Sequence, residues 1–529
     1  MGQRMAWFGL LIAGVAVQLA LGRQDAPAAP PAAAPAKAPV PPAGPRPNLV
    51  LITMDTTRAD HLGCYGYPRR TTPQIDAFAA EAVVFDHCYS ALTHTTPSHT
   101  SIFTGVYPFE HGVLACSFRA DEKVQQQRAF VSVAGLRSYT EILAEQGWQA
   151  GGFVTAATTK KITGLGVGFA AWGEPTKEVR PGAEALEEAL AWLDTVPEPF
   201  FLWAHFFDAH VPPREQYEEV HPELAPDATL REVMATRRMG PPRRGNGSAA
   251  ARVLREREED IARYDTGLRL IDDHFAALRA KLEARGAWPH TTVVITGDHG
   301  EGLGQHNFVQ HGPVWAEGVH VPFLLRVPGR APERIETLCS TIDVLPTAIA
   351  ATAGLPAEEF LAQARGRDVL AAEFEERPVY SMSPPTRGEF SLTTRRWRWI
   401  HRESGKHALF DRSKDPFELK DVAADHPDVA AGLDRQLLEL IREQRARHLE
   451  LYDGKQHGTR LSAEAEARLR AELAELGYTE EGDEAPLPAK KRPTNEADDD
   501  DGDDDHGDDD GAGDGEPDGG GAEGDDDGG

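Results

Sequence analysis

Three short apolar segments constrain the fold of this 529-residue chain more than any other feature. They are Asn48–Met54, Phe200–Phe206 and residues 292–296, and each has the length of a β-strand buried on both faces. Amphipathic stretches separate them, an alternation that is typical of a parallel sheet with helices on both sides. We predict further strands of this α/β fold at residues 152–155 and 322–326.

The predicted helices follow the spacing of apolar residues and the positions of proline and glycine. They are residues 72–81, 98–104, 139–146, 183–195, 252–285 and 343–353. In the second of these, Pro97 suits the first turn, Thr95 or Thr96 can cap, and Gly105 can end the helix. A hydroxyl therefore lies at a positive helix end, which stabilises an anion. An ordinary capped helix is the alternative interpretation.

A smaller antiparallel α+β subdomain is predicted after the main α/β domain. Its strands fall within residues 382–400 and 407–411, and a helix at residues 427–448 closes it. We place the main domain at residues 47–375 and the C-terminal subdomain at residues 376–455. Within the main domain, residues 214–246 are rich in Arg, Pro and Glu and are predicted to form an inserted surface loop.

The N-terminus is typical of an exported protein. Residues 1–22 combine a basic Arg4 with an apolar run and small residues at a cleavage position, which indicates a signal peptide. An uncleaved membrane anchor is the alternative. Residues 23–46 form an Ala/Pro-rich linker. We therefore expect a periplasmic or extracellular location, where the four cysteines could form one or two disulfides whose pairing the sequence leaves open.

The C-terminus explains most of the formal net charge of −29. Residues 496–529 contain 18 acidic residues and no Lys or Arg, so the body of the protein is only mildly acidic and nothing favours nucleic-acid binding. Residues 456–479 are predicted as a helical extension. Residues 480–529 have too little apolar surface to fold and are predicted to be a disordered acidic tail.

Polar residues gather directly after the apolar segments. Asp55 follows the first, His210 lies shortly after the second, and Asp298 and His299 follow the third between glycines. Ligands bind at the carboxyl ends of parallel strands, so these side chains should converge. An Asp-His pair flanked by glycines suits a metal, and Asp55 would add a carboxylate. Asp298 as a helix cap, with His210 and His306 as solvated side chains, is the alternative.

A series of short motifs runs through the chain in a fixed order. They lie at residues 48–55, 60–66, 97–98, 104–108, 111–112, 296–301, 304–306, 321–322, 340–346 and 409–416. In sequence and in order they resemble the sulfatases of the alkaline phosphatase superfamily, over roughly residues 47–438. The resemblance implies an alkaline-phosphatase-like, mostly parallel sheet sandwiched by helices, with a smaller C-terminal antiparallel α+β subdomain.

One position departs from the sulfatase pattern. In that family, the residue two before the proline of a Cys-x-Pro-Ser-Arg signature is oxidised to formylglycine, but here it is Thr95, and the arginine position is His99. Threonine cannot become formylglycine, so none is expected. Cys88 is not a substitute, because the proline and serine do not follow it. Other branches of the superfamily use a metal-bound threonine to attack phosphorus.

The resemblance implies one divalent metal. Its ligands would be Asp55, Asp298, His299 and the oxygen of Thr95, whereas Thr56 replaces a second aspartate that most sulfatases carry. With one imidazole and fewer carboxylates, this set favours Zn²⁺ or Mn²⁺, and Ca²⁺ is the alternative.

Further site residues follow from the same resemblance. His210 is assigned to protonation of the leaving group, His306 and His311 to contacts with the anionic group, and His99 and Lys160 to substrate binding. The implied function is metal-dependent hydrolysis of sulfate or phosphate esters with Thr95 as nucleophile.

Two other functions stay open. One is a phospho-group transferase acting on envelope lipids or glycans, and the other is an inactive sulfatase-like binding protein. The expected partner is an anionic ester such as a sulfated or phosphorylated glycan or lipid. Contact with a membrane is expected only if the N-terminal segment is uncleaved.

Overall fold

The computed structural model describes residues 46–116, 129–210, 220–239 and 248–452. They belong to one compact unit, Met1–Ala465. The predicted signal peptide, almost all of the linker, the helical extension and the acidic tail lie outside the described residues. Within the described ranges, no helix has both the length and the apolar character needed to cross a bilayer.

The strands form a central sheet, a small C-terminal sheet and one short hairpin. In chain order they are β1 (Asn48–Met54), β2 (Val83–Tyr89), β3 (Gln149–Phe153), β4 (Ala171–Gly173), β5 (Phe200–Phe206), β6 (Thr291–Gly297), β7 (Gly302–Leu303), β8 (Val309–Gln310), β9 (His320–Val321), β10 (Phe323–Arg326), β11 (Glu333–Ser340), β12 (Val379–Met382), β13 (Glu389–Thr393), β14 (Trp397–Arg402) and β15 (Ala408–Asp411). The central sheet has the order β11-β2-β10-β6-β1-β5-β3-β4, with β9 paired to β2. Its pairs are parallel except those that involve β9 and β10.

The helices surround the central sheet and cover the C-terminal one. In chain order they are α1 (Pro73–Ala79), α2 (Thr95–Thr104), α3 (Pro108–His111), α4 (Tyr139–Glu145), α5 (Gly182–Thr195), α6 (Ala228–Thr236), α7 (Ser248–Ala284), α8 (Ala316–Val319), α9 (Val344–Ala351), α10 (Glu358–Gln363) and α11 (Pro427–Tyr452). Most of these overlap the helices that the sequence predicts, with ends that differ by at most four residues.

Each strand of the sheet centre contributes to two separate cores. In β1, Val50 and Ile52 point into a core with α1, α5, α6 and α7, whereas Leu49 and Leu51 point into a core with α2, α4, α9 and α10. This alternation follows from the two-residue period of a strand. Because both faces are covered, the prediction of a mostly parallel sheet sandwiched by helices is confirmed.

The C-terminal subdomain is antiparallel, as predicted. Strands β12 to β15 pair in chain order, and α11 packs its apolar side on them. Leu433, Leu437 and Ile441 of that helix share a core with Tyr380 and Trp399 of the sheet. The boundary at residues 375 and 376 stays a prediction.

Four strands of the central sheet, β2, β4, β9 and β11, were not predicted. In β2, Asp86 and His87 interrupt the apolar pattern, and the edge strand β11 begins with exposed, charged residues. These strands place Cys88 opposite Cys339 in register, yet all four cysteines of the chain are free thiols. Residues 322–326 were predicted as a strand correctly, but β10 runs antiparallel to both of its neighbours.

The predicted surface loop at residues 214–246 is wrong in its described part. Residues 220–239 contain α6, whose Leu230, Val233 and Met234 are buried in the core. The carboxylate of Asp227 accepts a hydrogen bond from the backbone N–H of Leu230 and so caps the helix. The helix was not predicted because only three apolar residues lie at helical spacing here, among many arginines and prolines.

Candidate active site

Neighbouring strand ends build the candidate site. Strand β1 pairs in parallel with β5 on one side and with β6 on the other, so that Met54 lies level with both Phe206 and Gly297. Asp55 therefore leaves the sheet beside Asp298. Ligand atoms of Asp55, Asp298 and His299 all lie within 4.8 Å of one another, and these three residues are fully buried.

Helix α2 brings the hydroxyl of Thr95 to this group. The Thr95 Oγ1 atom lies 3.5 Å from Nε2 of His299. The hydroxyls of Ser90 and Ser98 both donate to the carbonyl oxygen of Asp298 at 2.5 Å, which ties the helix to the end of β6. All ten residues of the helix are buried, so its N-terminus is fixed against the sheet.

The start of this helix differs from the prediction. Thr95 occupies the first turn, and the N-cap is His94, which makes no capping hydrogen bond with its side chain. Thr96 does not cap either, because its hydroxyl donates to the carbonyl oxygen of Thr158 at 2.5 Å. The hydroxyl of Thr95 is thereby left at the helix end.

The two carboxylates have the arrangement of metal ligands. Asp55 Oδ2 faces His205 Nε2 at 3.1 Å, and Asp298 Oδ1 accepts hydrogen bonds from the N–H groups of Thr56 and His299 at 3.1 and 2.8 Å. The other oxygens, Asp55 Oδ1 and Asp298 Oδ2, are buried without a hydrogen-bond partner among the described residues. Each carboxylate is thus oriented through one oxygen and has the other available.

Electrostatics at the carboxylates also fit a cation. Burial raises the pKa of Asp55, and burial together with the charge of Asp55 raises the pKa of Asp298. Two buried carboxylates that repel each other favour protonation, and a divalent cation would relieve both the repulsion and the desolvation. The donor set of these residues therefore fits a divalent metal.

His299 is held in the tautomer that a ligand requires. Its Nδ1 lies 3.0 Å from the carbonyl oxygen of Gly300, which can only accept, so Nδ1 carries the hydrogen. Burial lowers the pKa of His299 well below its ordinary value, so the ring is neutral. The lone pair of Nε2 consequently faces Thr95 and the carboxylates.

Two of the predicted histidines lie beside this group. Nε2 of His210 and Nε2 of His311 are 3.2 Å apart, and the ring centroid of His311 lies 4.7 Å from that of His299. Burial lowers the pKa of His210 to about 4. His210 and His311 thus form one unit at the site.

The assignment of His99 to substrate binding does not fit the structure. This residue is fully buried, its Nδ1 lies 2.8 Å from the carbonyl oxygen of Thr95, and its Nε2 lies 3.0 Å from Oγ1 of Thr53. Both ring nitrogens are occupied by the protein. His99 therefore positions the backbone of Thr95, which sequence position alone could not distinguish from substrate contact.

His306 is also placed differently from its assignment. Its Nδ1 faces Glu317 at 2.7 Å, its Nε2 faces the carbonyl oxygen of Glu418 at 3.1 Å, and its ring stacks on Trp315. It joins the main domain to the C-terminal subdomain.

Lys160 follows the turn that receives the hydroxyl of Thr96, and its amine makes no ion pair with the described residues.

Sequence reasoning missed His205 and His94. His205 lies in β5, level with Thr53, and its Nδ1 accepts the N–H of Thr155 at 3.4 Å, so that Nε2 donates to Asp55. A single polar residue within an otherwise apolar strand was the available signal. The ring of His94 lies 5.1 Å from that of His311, and no sequence pattern marked it.

Comparisons with known proteins agree with this architecture. The sulfatase family model matches residues 47–355. An ulvan-active sulfatase from Formosa agariphila is 22% identical over 445 residues, which cover 76% of this chain and 83% of the relative. A delta 4,5-hexuronate-2-O-sulfatase from Bacteroides thetaiotaomicron is 24% identical over 436 residues, which cover 72% of this chain and 85% of the relative.

A solved structure has the same fold. The phosphonate monoester hydrolase of Agrobacterium radiobacter superposes with a TM-score of 0.57 at 21% identity, covering 75% of this chain and 96% of that enzyme. Together with the strand-end site, the family match identifies the protein: this chain belongs to the sulfatase family and is a sulfuric or phosphoric ester hydrolase.

Proposed function

We propose that the protein is a metal-dependent hydrolase of sulfate or phosphate esters in which Thr95 is the nucleophile. The observation that carries this proposal is the position of Thr95 Oγ1, 3.5 Å from Nε2 of His299 and at the N-terminus of a buried helix. Asp55 and Asp298 lie in the same group. A hydroxyl at a positive helix end, beside a cation site, is activated for nucleophilic attack.

The proposed cofactor is one divalent ion held by Asp55, Asp298, His299 and Thr95. When bound, it supplies Lewis acidity that lowers the pKa of the hydroxyl and neutralises the ester oxygens. One imidazole beside two carboxylates favours Zn²⁺ or Mn²⁺, with Ca²⁺ as the alternative. Threonine at position 95 means that no formylglycine takes part.

The reaction proceeds in two displacements. Thr95 Oγ1 gives up its proton and forms a bond to phosphorus or sulfur while the bond from that atom to the alkoxide oxygen breaks, and the departing alkoxide takes up one proton to leave as the alcohol. Water then attacks the Thr95 ester, which releases phosphate or sulfate and restores the hydroxyl. Because His210 and His311 face each other through their Nε2 atoms, they act as one unit on the leaving oxygen.

The side chains around Thr95 limit its movement. His99 holds its carbonyl oxygen, and Ser98 holds the helix to the carbonyl of Asp298. The nucleophile is therefore positioned before substrate arrives, which reduces the entropy lost in reaching the transition state.

The proposed substrate is an anionic ester of a glycan. Two relatives are described by their names as an ulvan-active sulfatase and a hexuronate sulfatase, and one structural neighbour as a phosphonate monoester hydrolase. A threonine nucleophile favours phosphoryl over sulfuryl transfer within this range. We further propose that the protein is exported, which sequencing the N-terminus of the mature protein would test.

The test is a substrate and metal matrix on the purified protein. Chromogenic sulfate, phosphate monoester, phosphate diester and phosphonate substrates are assayed with Zn²⁺, Mn²⁺ and Ca²⁺ in turn. T95A should lose activity on the best substrate by about 10³-fold or more, and T95S should keep part of it. T104A is the matched control, because Thr104 lies in the same helix and its hydroxyl donates to the carbonyl oxygen of Thr100, away from the site. Full activity in T95A would refute the proposal.

A further inference from the structure

Cys88 and Cys339 lie opposite each other in neighbouring parallel strands. Cys88 belongs to β2 and Cys339 to the edge strand β11, and the two residues are level in the strand register. Opposite residues of a parallel pair point to the same face of the sheet, and neighbouring strands are about 4.8 Å apart. Disulfides join cysteines whose Cα atoms are roughly 4.4–6.8 Å apart. The backbone at this pair therefore has the separation that a disulfide requires.

The two thiol groups are also in contact. A hydrogen bond joins the side chains of Cys88 and Cys339, and Sγ of Cys339 donates to the carbonyl oxygen of His87 at 3.7 Å. Both side chains are fully buried in the core that they share with α2 and α9. Burial, together with the neighbouring thiol, raises the pKa of Cys339. Because the thiolate is the reactive form, this pair is inert while β11 is docked.

The other two cysteines have different surroundings. Both the N–H and the thiol of Cys64 bond to the carboxylate of Asp76, and Sγ of Cys116 accepts the N–H of Thr96 at 3.1 Å. Cys64 lies in a short 3₁₀ turn and Cys116 in a loop, so no strand register of the described residues brings either beside another cysteine. The geometry thus favours one pairing among those that the sequence leaves open.

The position of β11 gives an oxidant access to the pair. This strand is at the edge of the central sheet, pairs with β2 on one side only, and begins with exposed residues. Before β11 docks, and whenever it opens, Cys339 and the neighbouring Cys88 lose the cover of the sheet edge. Reaction therefore takes place during folding or strand opening, and docking then buries the product.

We propose that Cys88 and Cys339 form a disulfide when the protein folds in an oxidising compartment. The inference rests on the proposed export of the protein and not on its catalytic chemistry. The structure holds both residues as free thiols, which is the reduced form. The oxidant is itself a disulfide, that of a carrier protein or of oxidised glutathione.

The exchange proceeds in two steps. One cysteine thiolate attacks the oxidant and forms a mixed disulfide, and the second thiolate then attacks that bond. The bond between Cys88 and Cys339 forms while the bond to the oxidant breaks. In total, the two cysteines lose two electrons and two protons, and the oxidant takes up both and leaves as two thiols.

The disulfide would join segments that are more than two hundred residues apart in the chain. A cross-link of this kind stabilises a protein mainly by restricting the unfolded chain. It also fixes the end of β2, directly before Ser90, whose hydroxyl donates to the carbonyl oxygen of Asp298 at 2.5 Å. The clamp therefore holds a segment that supports the candidate active site.

The test is the thiol content of the full chain after oxidation. One sample is refolded from urea in reduced and oxidised glutathione, and a second is kept folded in that buffer with urea below the unfolding transition. Both are alkylated in denaturant and measured by mass spectrometry. We expect two alkylated thiols per chain, against four in dithiothreitol, and a cross-linked peptide that contains Cys88 and Cys339.

Two double variants assign the bond. C64S/C116S keeps the pair, so it should lose both remaining thiols on oxidation and unfold at a higher urea concentration than in dithiothreitol. C88S/C339S should keep its two thiols and unfold at the same urea concentration in both buffers. Four alkylated thiols in both wild-type samples, or a cross-link that involves Cys64 or Cys116, would overturn the proposal. Hydrolytic activity does not enter these measurements, so a failure of the proposed function leaves them unchanged.

Discussion

Replacing His205 with leucine should weaken binding of the proposed metal ion without removing one of its proposed ligands. Nε2 of His205 donates to Asp55 Oδ2 at 3.1 Å, and its Nδ1 is fixed by Thr155. Leucine fills a similar volume but leaves that carboxylate oxygen without its donor. Removing such an outer contact lowers metal affinity by about 10–100-fold. A hydrogen bond to a charged group contributes about 1.5–3 kcal/mol, which corresponds to the same range.

The assay is competition for Zn²⁺ with a chromophoric chelator at pH 7.5. Burial lowers the pKa of His205 to about 3, so the ring is neutral at this pH and its own titration does not enter the result. H205Q keeps an N–H donor near the position of Nε2 and should bind the metal nearly as well as the wild type.

The control separates a local effect from general loosening. His320 lies in β9 of the same sheet, and its Nε2 faces only the carbonyl oxygen of Asp86 at 2.9 Å. H320L should therefore leave zinc affinity unchanged. If H205L binds zinc as tightly as the wild type, or if H320L weakens binding equally, the reasoning about the orientation of Asp55 is refuted.

Three further perturbations have expected outcomes. Burial lowers the pKa of His111 to about 3, so the unfolded chain takes up a proton below pH 6.5 that the folded one does not, and stability falls as the pH falls. H111Q should show about 2 kcal/mol less loss of unfolding free energy between pH 7.5 and pH 5 than the wild type, measured with urea. R398M leaves the buried Glu418 without its ion-pair partner at 2.9 Å and should cost about 3–5 kcal/mol in unfolding free energy, whereas R398M/E418Q should recover most of it. T56D adds a carboxylate where a buried hydroxyl has no hydrogen-bond partner among the described residues, and it should raise Ca²⁺ affinity relative to Zn²⁺ by about tenfold in competition binding.

Each of these has an outcome that contradicts it. An unchanged pH dependence in H111Q would mean that this histidine does not remain neutral in the folded state. A double variant no more stable than R398M would show that the loss came from packing and not from an unpaired charge. T56N has the shape of aspartate without its charge, so an equal change of selectivity in T56N and T56D would rule out the carboxylate as the cause.

The sequence was sufficient for the sheet centre and for the convergence of Asp55, Asp298 and His299. Strands β1 and β5 have the predicted bounds, because apolar runs buried on both faces leave little ambiguity about where a strand begins and ends. The convergence of Asp55 with Asp298 followed from the parallel arrangement of their strands. Both follow from local sequence, because the apolar runs mark the strands and the polar residues directly after them mark the carboxyl ends of those strands.

What the sequence could not provide was the direction of individual rings. His99 and His306 lie in the predicted motifs, but their nitrogens are occupied by protein groups. His205 was part of a correctly predicted strand, and its role depends on which strand lies beside it. Such contacts are set by register and rotamer, and neither is encoded in local spacing.

The assembly of the site from distant strands has a consequence for when the chain could bind the proposed metal ion. Asp55 and Asp298 are more than two hundred residues apart, and they meet only when β6 pairs with β1. Contacts of such sequence separation form slowly and late in folding. A nascent chain therefore has no high-affinity site until residue 299 has been synthesised, and the ion cannot nucleate the fold. We therefore expect the proposed ion to bind after folding, so that a shortage of metal yields folded, inactive protein and not misfolded chains.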